Sequence, residues 1–64
     1  MVTINGQNEN IAGRNLYEYL EEVGYEIDRV VVELNLNILT KEELKTRTIK
    51  ENDSIEVLRF VGGG

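Results

Sequence analysis

The sequence predicts an α+β domain of two layers, a mixed sheet with one main helix on one face. Three observations carry that reading. A single amphipathic helical stretch, "NLYEYLEEVGY", lies in the first half of the chain. Strand-like stretches stand on both sides of it, "MVTIN" before and "RVVVELN" and "SIEVLRF" after. The chain has 64 residues, enough for one domain and too few for two. The apolar face of that helix must therefore be covered by strands of the same small unit.

The elements follow in order. Val2 and Ile4 alternate with Thr3 and Asn5, the period of a half-buried strand. Asn5-Gly6 is a hairpin cue, because both turn positions tolerate positive φ. Ile11 is expected to anchor a short second strand. In the helix, Leu16, Tyr19, Leu20 and Val23 share one face while Glu18, Glu21 and Glu22 lie elsewhere. Asn15 with Glu18 fits a capping box, and Gly24 stands where a left-handed C-terminal cap belongs. The β-branched run that follows sets Val30, Val32 and Leu34 on one side, Val31 and Glu33 on the other. A short strand at Ile38-Leu39 comes next. Thr40 with Glu43 offers a second capping box for one or two helical turns through Leu44. "KENDS" is a polar turn before the last strand.

The order β-β-α-β-β-short helix-β lets the first and last strands pair in parallel across the long connection. That arrangement is a β-grasp, with a ferredoxin-like sandwich as the alternative. The last strand is expected in the centre of the sheet, beside the first, with the helix of residues 16–23 on one face. Leu16, Leu20, Val23, Ile4, Val32, Ile55 and Val57 are the expected core.

Composition narrows the chemistry. With no Cys and no His there are no disulfides, Cys/His zinc sites, thiol nucleophiles or imidazole acid–base groups. No acidic loop has calcium-site spacing, so no metal site is expected. Twelve acidic against seven basic residues give a net charge of −5, which speaks against nucleic acid and anionic membrane surfaces as partners. No apolar run approaches the ~20 residues of a membrane span. "MVTINGQNEN" lacks the basic start and apolar stretch of a signal peptide, so a cytoplasmic protein is expected.

"LYEYLEEVG", "RVVVELN" and above all "KENDSIEVLRFVGGG" resemble the ThiS family, the ubiquitin-like β-grasp sulfur carriers of thiamine thiazole synthesis. The resemblance runs over nearly the whole chain. Its most specific part joins the turn containing Asp53, the strand Ile55-Glu56-Val57, Phe60-Val61 and the closing glycines. The chain departs from the family where many members carry Asn-Gly after the third strand and a proline shortly beyond. Here Leu36 follows Asn35, and there is no proline anywhere.

The resemblance implies a division into a single β-grasp domain, residues 1–60, and a flexible C-terminal tail, residues 61–64. It implies that Gly64 supplies the reacting α-carboxylate and that Gly62, Gly63 and Gly64 are all required for activation. The chain would then be a protein cosubstrate and not an enzyme. A ubiquitin-activating-like adenylyltransferase of the ThiF type would adenylate it, using ATP and magnesium that the carrier itself does not bind. A sulfur donor such as a cysteine desulfurase would supply the thiocarboxylate sulfur, and a thiazole synthase of the ThiG type would accept it. Three alternatives stand beside this one. They are the small subunit of molybdopterin synthase, a ubiquitin-like modifier joined to lysines, and a binding module with no C-terminal chemistry.

The period of two in the last strand adds a docking surface. With Ile55 and Val57 facing the helix, Glu56, Leu58 and Phe60 face away. Leu58, Phe60 and Val61 are then candidate partner-binding residues beside the tail. For Phe60 the other reading is packing over the sheet edge. Arg59 either pairs with acids of a partner or keeps the strand end soluble.

Overall fold

A computed structural model describes residues 1–60 of the chain. Val2 and Ile4 place their side chains inward from β1 (Val2–Ile4), and the chain then reverses through Asn5 and Gly6, both at positive φ. This two-residue turn leads into β2 (Gln7–Glu9), paired antiparallel to β1. The second strand differs from expectation. Its residues are polar, and Ile11 lies beyond it, buried in the core from the following loop. Backbone pairing set by the turn makes this strand, and apolar anchoring does not.

The main helix α1 (Leu16–Glu22) starts at Asn15, whose side-chain oxygen accepts a hydrogen bond from the Glu18 N–H at 2.9 Å. Only this half of the expected capping box is present. The helix ends in the arrangement expected of Gly24. The Gly24 N–H donates to Glu21 O and the Tyr25 N–H to Leu20 O, with Gly24 at φ 102°. These paired bonds satisfy carbonyls that the helix end would otherwise leave open.

After a single 3-10 turn at Ile27–Arg29 come β3 (Val30–Leu34) and β4 (Asn37–Ile38), joined by Asn35 and Leu36. The short strand thus begins one residue before the expected Ile38. Helix α2 (Lys41–Thr46) carries the complete capping box predicted for Thr40 and Glu43. It is tied to the start of α1, where Asn15 Nδ2 donates to Lys45 O at 2.8 Å and the Leu16 N–H to Arg47 O at 2.9 Å. The last strand, β5 (Ser54–Arg59), runs through the middle of a five-stranded sheet of order β2-β1-β5-β3-β4. It is parallel to β1 and antiparallel to β3. This is the predicted mixed β-grasp sheet.

Six of the seven expected core residues are buried, and Leu16 and Leu20 are completely so. Val23 is the exception, half exposed. It lies on the correct angular face, but it is the C-cap residue, and the sheet does not reach under it. A hollow of about 250 Å³, lined by Val23 with Ile4, Tyr19, Tyr25 and others, occupies that place. The remaining core comes from Val2, Ile11, Tyr19, Leu34, Leu44 and Ile49.

Leu36 keeps the turn geometry that glycine would give, at φ 73° beside Asn35 at 51°. An L-residue in the left-handed region costs about 1–2 kcal/mol. The side chain recovers nothing, being 90% exposed. Leu36→Gly is therefore expected to stabilise the domain by roughly 0.5–1 kcal/mol after the larger unfolded-state entropy of glycine is subtracted. Urea denaturation should show a higher midpoint, and a lower one would contradict the turn.

Candidate functional site: the root of the C-terminal tail

The central strand delivers the chain to its end, so whatever fixes β5 fixes the tail root. At its start, Asp53 is buried, and burial alone pushes its carboxyl pKa up. Hydrogen bonds from the Lys50 N–H at 2.8 Å, Asn35 Nδ2 at 3.0 Å and Arg47 Nη2 at 3.3 Å outweigh that effect, and the pKa is held below the ordinary value. Asn35 also accepts from the Ser54 N–H at 2.8 Å, so the β3–β4 turn clamps the first residue of β5. Farther along, the Asn5 side chain accepts from the Val57 N–H at 2.8 Å, where β1 has already ended. These groups act structurally.

The far end of β5 is continued by one more bond, from the Phe60 N–H to Arg29 O at 3.1 Å. Alternation then divides the side chains at the root. Leu58, 51% exposed, stands on the open face of the sheet in register with half-buried Val31. Phe60 is 61% exposed and lines a hollow with Arg29 and Val30. Ile38 is exposed on the same open face, opposite Glu33 on the neighbouring strand. Arg59 lies on the helix side, its guanidinium 4.8 Å from the centre of the Tyr25 ring. A shallow hollow of about 260 Å³ adjoins it, lined by Gly24, Glu26, Arg29, Val30, Arg59 and Phe60.

The structure thus sets Leu58 on the open face at the root and Phe60 just beyond the end of β5, exposed at the hollow beside Arg59. Val61, Gly62, Gly63 and Gly64, together with the expectation of a flexible tail at 61–64, lie outside the described residues. The sequence marks Asn5 as a turn residue and Asn35 as the residue after the third strand, but it does not disclose that they and Arg47 anchor β5. The signal for Asn35 was its place after β3, the position that forms the turn and also meets Asp53. Among the described residues, no three carboxylates converge on a possible metal position, and no helix is long and apolar enough to cross a membrane.

Comparison with known proteins agrees with this architecture. Residues 2–64 match the ThiS family. The chain is 36% identical over 64 residues to the sulfur carrier protein ThiS of Thermus thermophilus, covering all of both chains. It is 33% identical to thiazole synthases of Paramagnetospirillum magneticum and Magnetococcus marinus, where 98% of this chain spans only 20% of the relative's length. The crystal structure of the thiamine biosynthesis protein ThiS from Geobacter metallireducens superposes with a TM-score of 0.76 at 33% identity, over 98% of this chain and 97% of that one. With the β-grasp sheet, the central last strand and a match that runs through the closing glycines, the chain belongs to the ThiS family of sulfur carriers of thiamine biosynthesis.

Proposed function

We propose that Gly64 is the sulfur-bearing residue of this carrier, reacting through its α-carboxylate. The observation that carries the reading is the continuity of the family match to Gly64 with a rigidly anchored central strand leading to it. A carboxylate is a poor electrophile. An activating enzyme of the adenylyltransferase class therefore converts it to an acyl-adenylate, with ATP and magnesium bound on that enzyme. The persulfide of a donor such as a cysteine desulfurase displaces AMP, and a reducing thiol frees the C-terminal thiocarboxylate. Gly62 to Gly64 serve this chemistry because a segment without Cβ atoms can pass a channel too narrow for other residues.

A thiazole synthase is the sulfur acceptor. Support comes from relatives named as thiazole synthases that contain a stretch similar to this whole chain, since domains joined in one polypeptide commonly act on one another. The carrier works in the cytoplasm, with its partner enzymes. The test is intact-protein mass from native cells, where the expected species is heavier by the difference between one sulfur and one oxygen. Only the unmodified mass, under conditions that demand thiamine synthesis, would count against the thiocarboxylate.

Leu58, Phe60 and Val61 are the docking residues beside the tail, and Leu58 and Phe60 are exposed apolar side chains of the kind that marks interfaces. Leu58→Ser should weaken the complex with the thiazole synthase by at least about fivefold, the effect of losing more than 1 kcal/mol at an interface. Because Leu58 is half exposed, the denaturation midpoint should change little. Calorimetric titration checks this, and unchanged affinity would remove Leu58 from the interface.

A further inference from the structure

The open face of the tail root is apolar, but its other face is built around a cation. Arg59 is the last residue of β5 and the register partner of Val30, on the side of the sheet that carries the helix. Continued packing there would demand an apolar residue. Instead α1 has already ended, and the guanidinium lies on the Tyr25 ring. Hollows of about 260 and 250 Å³ open on either side of it, and Arg59 belongs to both. Tyr19, Val23 and Tyr25 supply the apolar wall of the second.

Among the described residues Arg59 has no ion pair and no side-chain hydrogen bond. Arg14, Arg29, Lys41 and Arg47 each have a carboxylate. The nearby Glu26 is engaged by Arg29 at 3.3 Å, and Glu9, which lines the second hollow, makes no ion pair with Arg59. A guanidinium fixed by stacking still presents its planar fork of N–H donors, and that fork matches a carboxylate or a phosphate.

Distance separates these two ligands. Five residues lead from Arg59 to Gly64, and fully extended they span about 17 Å at ~3.3–3.6 Å each. When the carboxylate of Gly64 reaches a reaction centre, Arg59 remains at the mouth of the channel, too far back to touch a phosphate there. Its counterpart is then an acidic side chain on the protein surface around that mouth.

We propose that Arg59, held by Tyr25, orients this carrier on the thiazole synthase by pairing with a carboxylate at the rim of that enzyme's tail channel. The inference rests on the carrier reading above. The thiazole synthase is chosen as partner because relatives of that name carry a stretch similar to this chain. Leu58 is gripped on the open face of the root and Arg59 on the helix side, so the carrier docks in one rotational setting.

The test titrates the full-length carrier against the thiazole synthase of the same organism at low and at raised ionic strength. Arg59→Gln should weaken binding about tenfold at low salt and flatten the salt dependence, as loss of an interfacial charge does. Arg59→Lys, which keeps the charge without the fork, should recover only part of the affinity. Tyr25→Leu should fall between, because it keeps the cation and removes the ring that positions it. A merely structural Arg59 would lower the denaturation midpoint without changing the salt dependence.

Equal affinity for wild type and Arg59→Gln overturns the inference. So does a defect confined to the activating enzyme, seen as a raised KM in ATP–pyrophosphate exchange. Sulfur delivery by the wild-type thiocarboxylate is measured in the same preparations. Its failure would sink the carrier reading, and the inference with it. Delivery combined with an indifferent Arg59→Gln sinks the inference alone.

Discussion

Deletion of Gly64, and separately Gly63→Val, should abolish adenylation of the carrier while leaving its fold intact. The deletion shortens the tail by one residue, about 3.3–3.6 Å in an extended chain, and withdraws the carboxylate from the nucleotide. A misplacement near 1 Å can already cost ~100-fold when reacting atoms must be aligned, so the loss should reach at least two orders of magnitude. Gly63→Val keeps the length but adds a β-branched side chain that the proposed channel would not admit, and it should fail to the same degree. The core residues all lie between Val2 and Val57, so neither change touches the packed interior. ATP–pyrophosphate exchange with the cognate activating enzyme measures the effect, and circular dichroism confirms folding. Wild-type exchange by both variants would show that Gly64 is not the reacting residue.

The features that the sequence disclosed are those in which local chemistry and tertiary structure agree. Thr40 and Glu43 form their capping box because both bonds are made within one turn of chain. Gly24 caps α1 because only a residue without Cβ takes φ 102° freely. The alternation of β5 predicts Leu58 on the open face, and the pairing of Leu58 with Val31 has it there, half exposed. Long-range geometry was not disclosed in this way. Val23 has the angular position of a core residue, but its burial depends on how far the sheet extends along the helix axis, which periodicity does not contain. Ile11 and Ile49 are lone apolar residues in polar surroundings, and only the folded chain carries them into the core. The bonds of Asp53 to Asn35 and Arg47 bring together segments 18 and 6 residues apart. No spacing rule pairs such groups, although the position of Asp53 in its turn was part of the family resemblance.

That difference between angular and axial position has a measurable consequence in α1. Leu20→Ala should cost about 2–5 kcal/mol, because it removes a completely buried side chain and leaves a cavity in a packed site. At roughly 0.05–0.15 kcal/mol per residue, a domain of this length has only about 3–10 kcal/mol of stability. The substitution therefore consumes much of it. Val23→Ala, three residues along the same face, should shift stability by no more than about 0.5 kcal/mol, the range of ordinary surface changes. The half-exposed valine already borders a hollow, so truncating it creates no new void. Urea denaturation of the two variants beside wild type makes the comparison. A large drop in midpoint for Leu20→Ala with little change for Val23→Ala is the expected pattern. Equal losses would mean that the sheet covers the end of α1 after all, and an undisturbed Leu20→Ala would mean that another face of the helix meets the sheet.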